Sequence, residues 1–282
     1  MIRHAPSIGL GLGLSLRSDV LGATGPLDLV SGASAAYSTR ALSRGWVAGD
    51  VVEVRRSSDS TTQDFTAGQI ANGDMVAFCG VGDGFISTWY DQSGNANDPT
   101  QSTTTSQPKI VDAGVLITEG GLPAFYVDGV DDRLELTSAI TNVGDFYVGY
   151  VSVMEETSGL QAILGANTNT NYLRVSDNGW QVYSGAGAGN TGTIAWTAPF
   201  NSRYLMSFNR SGSSVTAQLD GLAAGNGTNA ADITTFTKLF LRSNSTSQLW
   251  KGNVQELIIY KSDQSANREA IETNINNRYE IY

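Results

Sequence analysis

The sequence predicts an all-β protein, a two-sheet antiparallel jelly-roll sandwich with a short C-terminal helix. Three observations carry this. Short apolar runs recur at close spacing with Gly, Asn, Asp and Ser between them, the pattern of strands joined by tight turns. Charged residues make up only 16% of the chain while glycine fills 32 positions, a neutral and turn-rich composition. No series of helix-length amphipathic segments alternates with the apolar runs, which disfavours a parallel α/β sheet. The 282 residues are enough for one sizeable core. The expected division is an N-terminal arm or edge strand over residues 1–30 and a sandwich over residues 31–282.

The elements follow in order. Ser7 to Leu16 alternates strictly, with Ile8, Leu10, Leu12, Leu14 and Leu16 on one side and Gly9, Gly11, Gly13 and Ser15 on the other, which is strand periodicity with one side-chain-free face. It reads equally as an edge strand or as an assembly arm. A short helix is expected from Ser34 to Leu42, and another over Asp74 to Phe78. Strands are expected over Phe146–Val153, Gln161–Leu164, Tyr172–Val175, Tyr204–Asn209, Val215–Leu219, Leu239–Arg242 and Val254–Tyr260. Turn signals at Asp177–Gly179, Arg210–Gly212 and Asp220–Gly221 separate several of these. The last strand runs into a helix over Ala266 to Asn277, capped by Asp263 or Ser265, with Ile271, Ile275, Tyr279 and Tyr282 along one face.

Charge and rare residues narrow the function. A formal net charge of -10 argues against nucleic acid as a partner, because phosphate binding needs clustered Lys and Arg. The neighbours Arg55 and Arg56 are the one obvious basic pair, and solvation is the simplest account of them. Cys79 is the single cysteine and His4 the single histidine, so neither a disulfide framework nor a Ser-His-Asp arrangement is expected. No apolar stretch is long enough for a membrane span. Residues Met1 to Gly25 are not expected to act as a secretory leader, since glycines interrupt their apolar stretch.

Three separated segments carry a family likeness: AAYSTRAL at Ala35–Leu42, VEVRRSSDSTTQDF at Val52–Phe65, and FISTWYDQSGNANDPTQ at Phe85–Gln101. Together they resemble the first part of the alpha-L-arabinofuranosidase B catalytic domain, a concanavalin A-like sandwich whose opening third also occurs in bacteriophage tail and other virion proteins. The resemblance covers roughly Ala35 to Leu136. The later segments YLMSFNRSGSSVTAQLDG at Tyr204–Gly221, KLFLRSN, and WKGNVQELIIYKSDQSANREAIETNI are similar to the closing part of laminin-G-like and pentraxin-like domains, which share that fold. Two departures stand out. The corresponding arabinofuranosidase segment is disulfide-bonded, whereas Cys79 has no cysteine to pair with. The family's catalytic acids lie downstream beside a vicinal cysteine pair, and neither has a match here, so no catalytic residue is carried across.

Retaining glycosidases use two closely spaced carboxylates, and the chain offers Asp91, Asp128, Asp131, Asp132, Glu155, Glu156 and Glu256 without a recognisable catalytic context. Asp91 is a candidate glycan contact, although an Asx-turn is the simpler account of it. Asp128, Asp131 and Asp132 are candidate oxygen ligands for calcium, although Asp-Gly is also an ordinary turn; no other cofactor is expected. Trp180 and Trp196, near glycine-rich loops, are expected to be exposed stacking platforms, with Trp89 and Trp250 in the core. GAGAGNTG at Gly185–Gly192 lacks the lysine and the strand-to-helix context of a phosphate loop. On these grounds the first expectation is a non-enzymatic bacteriophage virion protein, a tail, fibre or capsid-surface component. It would be homo-oligomeric, docked to other virion proteins and able to bind a host surface glycan. The rivals are a glycoside hydrolase of arabinofuranosidase type and a secreted bacterial lectin.

Overall fold

The computed structural model describes residues 24–155, 160–166, 171–176, 179–184, 194–195, 200–229, 233–240 and 248–282. The first half of the chain supplies α1 (Pro26–Leu29), β1 (Ala35–Ser38), β2 (Asp50–Arg56), β3 (Thr62–Thr66), α2 (Ala67–Asn72), α3 (Asp74–Cys79), β4 (Gly84–Trp89), β5 (Pro99–Thr100), β6 (Lys109–Asp112), β7 (Val115–Leu116), β8 (Thr118–Glu119), β9 (Leu122–Pro123) and β10 (Phe125–Asp128). The second half supplies β11 (Leu134–Val143), β12 (Phe146–Val153), β13 (Gln161–Gly165), β14 (Asn171–Ser176), β15 (Gly179–Ser184), β16 (Ile194–Ala195), β17 (Arg203–Ser211), β18 (Ser214–Leu219), β19 (Leu222–Thr228), β20 (Ile233–Leu239), β21 (Lys251–Tyr260) and α4 (Arg268–Tyr279).

Every recorded pairing is antiparallel. One sheet runs β3-β2-β4-β6-β10-β21-β12-β17-β18-β19, with β1 beside β10 on the same edge of β21. The other runs β5-β11-β20-β13-β14-β15-β16. Strand β5 joins them, pairing with β4 through Thr88 and Thr100 and with β11 through Glu135 and Leu136. Between the sheets lies a core built on Trp89, Phe125, Tyr150, Trp180, Phe208, Trp250, Leu257 and Ile259, all buried. The expected all-β sandwich with its C-terminal helix is the observed fold.

Strand β21 organises the first sheet. Its register slips at Gln255, where pairing with β12 jumps from Val151↔Glu256 to Ser152↔Val254. A bulge reverses which alternate side chains face inward. Trp250 and Val254 therefore join the main core on one side of it and Leu257 and Ile259 on the other. The partner on the opposite edge changes at the same place, from β10 at Val254 to β1 at Glu256. Gly252 belongs to this region: with φ +132, any Cβ would sit 2.1 Å from the Val153 carbonyl oxygen.

The outer face of this sheet has two parts. One is covered by α4, whose Ile271, Ile275 and Tyr279 pack with Tyr147, Leu205, Ile258, Tyr260 and Val30 in a second apolar cluster. The other is open, and forms the site described below.

Several expectations are corrected. Ser34–Leu42 is no helix: Ala35–Ser38 form β1, paired residue by residue with Ile259–Glu256 and buried on both faces, so small side chains concealed the two-residue period. The strand expected at Leu239–Arg242 instead runs Ile233–Leu239 and stops at Phe240, whose φ is 66°; residues 241 and 242 lie outside the described ones. The terminal helix starts at Arg268 without a side-chain cap, because the Asp263 carboxylate is taken by Asn209 Nδ2 and the Ser265 amide. It ends at Glu280 in the left-handed region, which leaves Tyr282 off the packed face and 53% exposed. The expected Ser7–Leu16 strand lies outside the described residues, whereas α1, within the expected arm, packs against α4.

Candidate active site on the open sheet face

Five strands place one side chain each in a single cross-strand row. Arg55 on β2 is opposite Phe85 on β4, Phe85 is opposite Lys109 on β6, Lys109 is opposite Tyr126 on β10, and Tyr126 is opposite Asn253 on β21. Their sequence neighbours Val54, Ile86, Ile110, Phe125 and Val254 point into the core, so strict alternation turns all five outward. With Thr104, Gln107, Asp112, Ile117, Asp128 and Asp132 they line a cleft of about 770 Å³.

The row is held by specific contacts. The Arg55 guanidinium lies 4.8 Å from the Phe85 ring centroid, and the Lys109 ammonium lies 5.7 Å from the same centroid. Arg55 Nε donates to Gln107 Oε1 at 2.7 Å and Nη2 to the Thr104 carbonyl at 3.2 Å. Lys109 is neutralised by Asp112 at 2.9 Å and Asp83 at 3.1 Å. Tyr126 donates to Glu155 Oε2 at 3.3 Å, and Glu155 pairs with Lys251 at 2.7 Å.

At the β10 end, the Asp128–Asp132 loop brings Asp128, Asp131 and Asp132 together, with one carboxylate oxygen from each within 4.8 Å of the others. Asp132 is 5% exposed. Burial first, and then the negative charge of Asp128, pushes its carboxyl up to about 7, so it holds a proton close to neutrality. One oxygen of each carboxyl is engaged within or beside the loop. Asp128 Oδ1 accepts the amides of Val130, Asp131 and Asp132, Asp132 Oδ2 accepts the Asp128 amide, and Asp131 Oδ2 accepts the Ser106 hydroxyl. A loop folded around its own carboxylates accounts for the cluster, and a carboxyl that keeps its proton is a poor calcium ligand.

The remaining sequence candidates are dispersed. Asp91 is buried, and its two oxygens accept the amides of Ala36, Ser93 and Asn97 and the Ser93 hydroxyl. It ties the loop after β4 to β1, with nothing left for a glycan. Trp180 is not exposed: it is fully buried on β15, edge-on to Tyr150 and Phe208 and stacked on Trp250, because alternation along β15 turns it into the core. Trp196 and Glu156 lie outside the described residues. Glu256 is fully buried against Arg40. Sequence reading missed Phe85, Lys109, Tyr126 and Asn253 as site residues and took Arg55 as merely solvated. Their outward phase is readable from alternation, but the register that aligns them is not.

Comparison with known proteins agrees with this architecture. Residues 29–117 match the family model described as alpha-L-arabinofuranosidase B, catalytic. The alpha-L-arabinofuranosidase B of Emericella nidulans is 38% identical over 99 residues, which is 32% of this chain and 19% of that protein. Among solved structures, a GH54 α-L-arabinofuranosidase soaked with a cyclic sulfate inhibitor superposes with a TM-score of 0.66 at 16% identity, covering 89% of this chain and 65% of that one. An arabinofuranosidase complexed with arabinofuranosyl-alpha-1,2-xylobiose gives 0.63 at 17% identity, covering 89% and 64%. The chain thus spans less than two thirds of these relatives, and its fold is like that of the arabinofuranosidase B catalytic domain. The expectations of a bacteriophage virion protein, a virion location and a non-enzymatic chain are corrected by this match, which is to a glycosidase catalytic domain.

Proposed function

We propose that this chain hydrolyses α-L-arabinofuranosyl linkages and that the open-face cleft receives the sugar. The observation that carries the reading is the 38% identity to an alpha-L-arabinofuranosidase B across 99 residues. The cleft supports it chemically. A glycosidase acid must stay protonated near its working pH, and Asp132 has a carboxyl raised to about 7. One of its oxygens lies within 4.8 Å of an oxygen of Asp128 and of Asp131, a close approach that suits the roughly 5–5.5 Å spacing of retaining enzymes better than the roughly 6.5–9.5 Å of inverting ones. In this reading Asp132 protonates the departing glycosidic oxygen and Asp128 offers the facing carboxylate, while Tyr126 provides a ring face for the substrate.

Release of 4-nitrophenol from 4-nitrophenyl α-L-arabinofuranoside tests it. The wild type turns over, and Asp132→Asn, which preserves shape, loses about 10²- to 10⁴-fold in rate. Absence of turnover by the wild type refutes the activity. Turnover retained in both Asp132→Asn and Asp128→Asn places catalysis elsewhere.

A further inference from the structure

Arg55 stands apart from the other cations of the groove. Lys109 has two carboxylates against it. Arg55 has none among the described residues: its partners are the Gln107 amide oxygen and the Thr104 carbonyl, both neutral, and Nη1 has no described acceptor. The guanidinium is held in place by these bonds and by the Phe85 ring beneath it, and partial burial lowers its pKa without an anion to offset that cost. A fixed guanidinium aimed into a cleft and lacking an anion suits a planar carboxylate, which its fork binds through parallel hydrogen bonds.

Position decides which carboxylate. Arg55 lies three strand steps from Tyr126, roughly 14 Å at about 4.8 Å per step. The acidic cluster occupies the Tyr126 end, so an anion there is repelled, while Lys109 between the two ends is outweighed by Asp83 and Asp112 and offers no free positive charge. The groove is therefore polarised, with carboxyls at one end and one uncompensated cation at the other. Resting on the reading of the cleft as a sugar groove, we infer that the Arg55 end is a subsite for the carboxylate of a hexuronate, carried by the same saccharide a few rings from the linkage at Asp132. Gln107 and the Phe85 ring are the positioning groups that fix the guanidinium.

Calorimetric titration with glucuronosyl-xylotriose, and with the same oligosaccharide after reduction of its carboxyl to an alcohol, tests the subsite. Neither probe contains an arabinofuranosyl bond, so the result does not depend on hydrolysis. The wild type is expected to bind the acidic probe at least tenfold more tightly than the reduced one, with the difference shrinking as salt rises. Arg55→Gln abolishes the preference, Arg55→Lys keeps only part of it, and Gln107→Ala weakens it. Equal affinity of the wild type for the two probes, or a preference that survives Arg55→Gln, overturns the inference. Failure of 4-nitrophenyl α-L-arabinofuranoside turnover, with this preference intact, sinks the hydrolase and leaves a uronate-binding groove.

Discussion

Arg40 closes on Glu256 as a two-point pair, Nε to Oε2 at 2.7 Å and Nη2 to Oε1 at 3.0 Å, across the boundary between β1 and β21. The glutamate is fully buried and also accepts the hydroxyls of Ser38 and Tyr279. A buried carboxylate deprived of its cation is left uncompensated, so Arg40→Ala should cost about 3–5 kcal/mol. Paired apolar replacement of both residues should cost much less than the sum of the single changes. Urea midpoints of the single and double variants decide this; additive losses would mean the pair is not coupled.

The second apolar cluster assigns α4 a structural task. Ile271 and Ile275 are fully buried, so each cut to alanine should cost about 2–5 kcal/mol, whereas Tyr282→Ala should change stability little. Thermal melts check it, and an unchanged midpoint for both isoleucine variants would show that the helix does not close this face.

Asp132 should make stability fall as pH rises. Its folded pKa, about 7, lies above the ordinary carboxylate value of 3.8. The folded state therefore holds more protons between the two values, and the contribution present below about pH 4 is lost as pH climbs toward 7. Asp132→Asn should flatten that slope and stabilise the protein at pH 8 relative to the wild type. Unfolding free energies measured from pH 4 to 8 test the sign; an unchanged slope in the variant would show that Asp132 ionises normally.

Asp91→Ala should strand the buried amides of Ala36 and Asn97, at about 1–3 kcal/mol for each donor left without a partner. Hydrogen exchange read at those two amides should accelerate before the rest of the sheet does. Uniform acceleration instead would mean that the loop and β1 open only with the whole fold.

Calcium is expected to leave the melting midpoint unchanged at pH 7, because Asp128 Oδ1 is taken up by three backbone amides and Asp132 holds a proton near that pH. A rise of several degrees with added calcium, reversed by chelator, would restore the metal reading of this loop.

The legible parts of the fold were those governed by local pattern. The Asp220–Gly221 hairpin turn, with both residues at positive φ, and the i, i+4, i+8 spacing of Ile271, Ile275 and Tyr279 are local. Strand β1 was not legible, because AAYS is placed by a partner more than two hundred residues away. The same distance effect hid the site. Arg55 and Phe85 lie in the recognised motifs, yet only the pairing of β2, β4, β6, β10 and β21 sets them in one row. The motif residues themselves proved to serve each other: Gln92 accepts the Leu42 amide and donates to the Ser38 and Arg40 carbonyls, so the loop after β4 clamps the AAYSTRAL segment.

The place of β21 bears on how the chain is made. Its partners β1, β10 and β12 all precede it in the chain, β1 by more than two hundred residues. During synthesis those strands emerge with unpaired edges, and β1 must wait for more than two hundred further residues before the central strand slots beside it. Such long-range closure is slow, and exposed edges invite pairing with other chains in the interval. Nascent chains halted before Lys251 should therefore be caught by chaperones or aggregate, while chains extended beyond α4 fold as one unit.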